Sequence, residues 1–301
     1  MRHSIISELV KSLVREATQE RDDYYRSLAH KSFETVSKTL KKIKSEASFF
    51  KYFRLSSAGP RSIVAYIDLG DIIPLYIPDP GDSSKNINIH DGLVFAIQNN
   101  YGSAGVSGGG TPGGGFMLKQ TDNPGAKNII ILFVPEQDFP LTRQMINITG
   151  PILIARVYQY FLENETSYVH EFIHYLDSRR YGKKMIQQFR DYQGAAAPPM
   201  RSQEEYANFS PELNAYYQQS AHQFWRFLTS GTKSQQRKRL DMIKSEGLRG
   251  FINSALHNLQ IARLLTPENK QRMIKRYALL YDYVIKKAEF NLKQTKIKAT
   301  P

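Results

Sequence analysis

The chain of 301 residues contains no cysteine. Disulfides and thiolate-bound zinc are therefore excluded, and any metal must be held by His, Asp or Glu. The missing cysteines do not by themselves fix a compartment. No apolar run reaches the roughly eighteen residues of a membrane-spanning helix, so no membrane span is expected. The opening residues, MRHSIISELVKSLVRE, are charged and amphipathic. They lack the apolar core and small-residue cleavage site of a secretory signal. The glycine-rich stretch 102–115, GSAGVSGGGTPGGG, does not end in the Lys-Ser/Thr of a phosphate-binding loop and has no strand–turn–helix setting. Nucleotide binding is excluded on that ground, and the stretch reads as a loop.

Charge is present but unevenly spread. The formal net charge is +13. Residues 1–60 carry 12 Lys+Arg against 7 Asp+Glu, residues 61–200 carry 11 against 13, and residues 201–301 carry 18 against 8. The excess sits at both ends. A basic surface suits acidic partners or nucleic acid. The aromatics of the last third (Tyr216, Tyr217, Phe224, Trp225, Phe227) cluster before the basic helices instead of interleaving with them. At most weak, sequence-independent nucleic-acid binding is expected.

Within the neutral middle stands SYVHEFIHYLD, residues 167–177. His170, Glu171 and His174 spell H-E-x-x-H. On a helix, residues four apart lie on one face, so the two imidazoles can aim at one point, as tetrahedral zinc requires. Glu171 sits beside that point, placed to take a proton from water that the metal acidifies. Val169, Phe172, Ile173 and Leu176 supply an apolar face. Asp177 falls three residues past His174, within reach of a supporting hydrogen bond to the site.

The rest of the chain reads as α+β, with strands before the motif and helices after it. Residues 4–46 form a helical hairpin or one long helix. RSIVAYIDL, DIIPLYI, NINIHDGLVFAI, FMLKQT and NIIILFV read as strands, the last two as a hairpin. Pro78 to Asp82 marks a turn, and His90 is a turn residue before Asp91-Gly92. A helix over 141–163 is expected to break or kink at Gly150-Pro151. Asn164, Thr166 or Ser167 caps the motif helix, which ends by Gly182. After loop signals over 183–209, Ser210 as N-cap and Pro211 as first residue open another helix. Helices over 235–263 and 267–293 follow, the latter capped through Thr266-Pro267-Glu268. The expected division is a helical segment 1–50, a catalytic domain 51–230 and a basic helical segment 231–301.

Two histidines leave the zinc shell incomplete. The pattern with Gly three residues after the second His and His three later fails, because those positions are Asp177 and Arg180. A Glu from a following helix is the other solution. Glu212 fits, with Ala215 allowing close helix approach; Glu204 and Glu205 are substitutes. HEFIHYLD followed by PELNAYYQ resembles the gluzincin branch of zinc metallopeptidases, nearest to lethal-factor-like and phage-encoded domains. The resemblance covers residues 115–228 and implies a zincin-like fold: a small twisted sheet plus the motif helix. It implies Zn2+ on His170, His174 and Glu212, Glu171 as general base, a polypeptide substrate, and Tyr206 holding the oxyanion, with Tyr216, Tyr217 and His222 as its rivals for that last role. Position 216 is Tyr, so the carboxylate that the thermolysin pattern places four residues after the Glu ligand is missing. A cytoplasmic or virion-associated location is expected. The contrasting expectation is a non-catalytic structural or nucleic-acid-associated protein with a vestigial zinc site.

Overall fold

The computed structural model describes residues 2–59, 62–72, 75–79, 82–100, 114–117, 127–135, 143–181, 203–259 and 261–297. The chain is α+β. It divides into two compact units, Ser27–Met200, and Met1–Arg26 together with Arg201–Pro301. The sequence division at residues 50 and 230 runs along the chain, whereas these units cut across it.

The first helix, α1 (Arg2–Lys42), is one long helix and not a hairpin. A short α2 (Glu46–Tyr52) follows, opened by a reciprocal box in which Ser45 and Ser48 each receive the other's backbone N–H. The strands are β1 (Arg54–Gly59), β2 (Ser62–Asp68), β3 (Tyr76–Asp79), β4 (Asp82–Asn88), β5 (Leu93–Asn100), β6 (Gly114–Met117) and β7 (Asn128–Pro135). Five of them form a sheet in the order β1-β2-β5-β7-β6, and β3 pairs with β4 separately. All pairings are antiparallel except β5 with β7, which runs parallel from Leu93↔Asn128 to Asn100↔Pro135.

Several expectations need correcting. DIIPLYI is not one strand: Leu69–Asp71 is a 3-10 turn, held by Asp68 Oδ1 accepting from Gly70 N at 3.1 Å, and β3 starts only at Tyr76. β3 also runs through Pro78 into the expected turn. β6 and β7 pair antiparallel, as a hairpin requires, though the turn at Asp122–Gly125 lies outside the described residues, as does most of the glycine-rich stretch. NIIILFV becomes β7, with neighbours on both sides, and among the described residues β6 is the edge at that end of the sheet.

Helix α3 (Arg143–Glu163) continues through Gly150-Pro151 without interruption. Proline removes one hydrogen bond, and a helix of 21 residues retains the others. The motif helix is α4 (Glu165–Tyr181), ending where expected. Asn164 precedes it: its carbonyl accepts from Tyr168 N, while its side-chain amide donates to Tyr160 O at 2.9 Å and closes α3 instead. Thr166 and Ser167 lie inside the helix. Helix α4 packs against β6 and β7.

The core of this unit is aromatic. Phe33 stacks on Phe161 with ring centroids 4.6 Å apart, and Phe95 and Tyr168 meet Phe161 edge-on at 5.3 and 5.5 Å. Such rings bring large apolar area plus a favourable edge-to-face term. They join α1, α3, α4 and β5. Tyr160 adds a hydrogen bond to Phe133 O on β7 at 2.7 Å, and burial pushes its phenol up to about 12.

The second unit is helical: α5 (Gln203–Asn208), α6 (Ser210–Thr229), α7 (Lys233–Asn258) and α8 (Pro267–Ile297) with the first part of α1. The N-cap of α6 is Phe209, with no side-chain cap, so Ser210 is the first helical residue and not the cap. Thr266 does cap α8, its hydroxyl accepting from Asn269 N at 3.3 Å. Gly247, with φ 67°, interrupts α7 in a conformation that only glycine adopts at low cost. Tyr217, Phe251, Met273, Tyr277 and Leu280 lie at the centre of the core. Beside it runs a charged seam. Arg26 donates to Gln218 at 2.7 Å, Arg276 donates to Asn214 at 2.9 Å while lying 3.6 Å from the Tyr217 ring centroid, and Lys287 pairs with Asp23. Among the described residues no helix is long and apolar enough to cross a membrane.

Candidate metal centre

Helix α4 is buried on every side from Tyr168 to Ser178. The four apolar residues of the expected stripe are buried, and so are His170, Glu171, His174 and Asp177, at 5, 8, 2 and 5 % exposure. Four polar side chains in one enclosed helix are costly unless each has a partner or a task.

His170 and His174 do what their spacing requires. One turn apart, their rings lie 4.9 Å between centroids and are inclined by 79°. Their donor nitrogens come within 4.8 Å of one another. Two imidazoles with donor nitrogens this close could hold a metal ion. Imidazole nitrogen in a buried setting is a donor that suits zinc. Glu171 follows His170 directly and is not a member of that donor set.

Hydrogen bonds on α4 fix this face. Tyr175 Oη donates to Ile89 O at 2.6 Å, and Asp91 O lies at 3.1 Å. Arg179 donates to Tyr175 Oη at 3.0 Å and to Asp91 O at 3.3 Å. These two side chains hold the helix to the turn that leads into β5. The turn itself needs Gly92, whose φ is +73°. On another side, Ser32 Oγ lies 2.8 Å from Tyr168 Oη and 3.0 Å from His90 Nε2. All three are buried to 1 % or less. Burial holds His90 down, to about 4, and raises the Tyr168 phenol. His90 is therefore neutral. It is the turn residue expected, but it is also a core residue, which its own neighbours in sequence do not reveal.

The remaining site residues lie in the helical unit. Glu212 occupies the first turn of α6, where a carboxylate favours the helix dipole, and is only 5 % exposed. Its substitutes Glu204 and Glu205 are exposed on the short α5. Tyr206, on the same α5, is 38 % exposed. Tyr217 and His222 are buried along α6, and Tyr216 is half-buried. No sequence signal pointed to Ser32, Tyr168 or Tyr175 as supports of the motif helix.

No family model, curated protein or solved structure matches the chain. The residues and their chemistry therefore carry the functional argument.

Proposed function

We propose that the protein is a zinc-dependent metallopeptidase with a zincin-like catalytic fold. The observation that carries this reading is the pair His170 and His174, enclosed and side by side on α4, with Glu171 buried next to them. A purely structural metal needs ligands but no adjacent base. Glu212 is the third ligand we assign. Its support is the sequence pattern together with its burial, whereas Glu204 and Glu205 remain in solvent.

Zinc, when bound, supplies Lewis-acid polarisation of a carbonyl and brings water's pKa to about 7. Glu171 accepts the proton of the attacking water and returns it to the leaving amine. Tyr206, with an accessible phenol, donates to the oxyanion. An extended polypeptide adds to β6, an edge of the sheet among the described residues, by backbone hydrogen bonds; α4 packs against that strand. We assign the enzyme to the cytoplasm or a virion, with nucleic-acid binding weak and unspecific.

The test is Glu171→Gln. Gln preserves shape, cannot take the proton and is not a ligand. Cleavage of a casein substrate should fall by about 10²–10⁴-fold, with zinc content by mass spectrometry unchanged. A wild-type rate in this variant would sink the catalytic role. Zinc bound to a wild-type protein that cleaves nothing would favour the structural, virion-type reading.

A further inference from the structure

The end of α7 and the start of α8 enclose a groove of about 800 Å³, wholly within the helical unit. Its apolar walls come from Ile252, Leu256 and Leu259 on one side and Ala262 and Ile274 on the other. Ile252 and Leu256 are four residues apart, so they form one ridge along α7. The rim carries His257, Arg263 and Lys270, all exposed. Among the described residues no carboxylate lines the groove and none pairs with Arg263 or Lys270.

A trough between two helices, with an apolar ridge on its wall, has the shape that receives a third helix through ridge-into-groove packing. The cationic rim selects the sign of its polar face. A second copy of this chain is a poor occupant, since two molecules of formal charge +13 repel each other. We propose that the groove is a docking site for an acidic amphipathic helix of a partner protein. Leucine-type anchors at i, i+3, i+4 and i+7 lie between Leu256 and Ile274, and flanking carboxylates face Arg263 and Lys270. This surface shares no residue with the proposed metal centre.

The experiment uses the full chain and a fluorescein-labelled peptide of about 20 residues, with Leu at those spacings and Glu elsewhere, followed by fluorescence anisotropy at about 0.15 M salt. Saturable binding is expected. Leu256→Asp, and separately the double reversal Arg263→Glu with Lys270→Glu, should each weaken it by about tenfold or more. A peptide of the same composition in scrambled order, and one with Lys for Glu, should bind far less. Equal binding of the scrambled peptide would show mere charge attraction and overturn the proposal. So would wild-type affinity in both groove variants, or no binding at all. Should Leu256→Asp fail to fold, the exposed Arg263/Lys270 pair carries the test alone.

Discussion

Two helices carry the ligands assigned to the zinc, and they are built on opposite plans. Helix α4 hides eleven consecutive residues, Tyr168 to Ser178, polar and apolar alike. Helix α6 buries Glu212, Leu213, Tyr217 and Leu228 but leaves Ser210, Gln223, Arg226 and Phe227 in solvent. A surface helix settles its orientation by an apolar stripe. A helix enclosed on all sides has no stripe to read, and its position is set by specific contacts: Tyr175 on Ile89 O, Tyr168 on Ser32, Arg179 on Asp91 O. The price of that enclosure is that every polar group along α4 has to be matched, and this makes the histidines and Glu171 informative.

The comparison is broken most severely by removing the metal's assigned holders. His170→Ala and His174→Ala should each bring zinc per chain close to zero after dialysis, and Glu212→Ala should weaken retention strongly. Glu205→Ala should leave zinc content at wild-type level. If Glu205→Ala loses zinc and Glu212→Ala keeps it, the third ligand is misassigned.

Packing is the next largest difference. Phe172 on α4 is fully buried, while Phe224 on α6 is half-buried. Phe172→Ala should cost about 3–5 kcal/mol, and Phe224→Ala about half that, since part of its area is already in water. Urea denaturation measures both. Equal losses would show that α4 is no more enclosed than α6.

Acid sharpens the same contrast through His90, which supports α4 by way of Ser32. Its folded pKa of about 4 lies below the ordinary value of 6.5, because burial disfavours the charged ring. The neutral form contributes stability that is present above pH 6.5. Below that the unfolded chain takes up a proton that the folded chain does not. Stability should therefore fall at about 1.4 kcal/mol per pH unit from about pH 6.5 to about pH 4, and this contribution should flatten below. His90→Gln lowers the midpoint at pH 7 but should remove that slope. A slope unchanged in His90→Gln would assign the acid sensitivity elsewhere. The smallest effect expected is Gly92→Ala, about 1 kcal/mol from its left-handed φ, read as a shift of the thermal midpoint.

Local signals in the sequence carried much of this architecture. The motif helix stopped at Tyr181, before the glycine that marked its end, and Thr266 capped α8 because a hydroxyl at that position meets an N–H three residues on. Both depend only on neighbours. The errors arose where a distant partner or a longer context decides. Pro151 sits inside a helix long enough to absorb it. Ser210 was one residue late as a cap, and Phe209 takes that position without a side-chain bond. NIIILFV is an unbroken apolar run, and such a run marks a strand without saying which strands lie beside it. His90 is buried by Ser32, 58 positions earlier, and no local pattern announces that. The candidate site divides along the same line: His170, Glu171 and His174 stand out by spacing alone, Glu212 is preferred from the helix start at Ser210-Pro211, and its burial beside the exposure of Glu204 and Glu205 adds a ground that the sequence does not contain.

The helical unit is discontinuous in the chain, drawing Met1–Arg26 from one end and Arg201–Pro301 from the other. On the ribosome this sets an order of events. At about 5–20 residues per second, roughly 5–20 s separate emergence of the middle unit from that of the last residues. During that interval Arg26 has no Gln218, and Asp22 and Asp23 have neither Arg276 nor Lys287. The first 26 residues must wait, helical or not, until the closing hundred residues supply their partners. A nascent chain stalled near residue 240, with the middle unit clear of the exit tunnel, should therefore protect the sheet and motif helix from protease while leaving its own N-terminus open to cleavage.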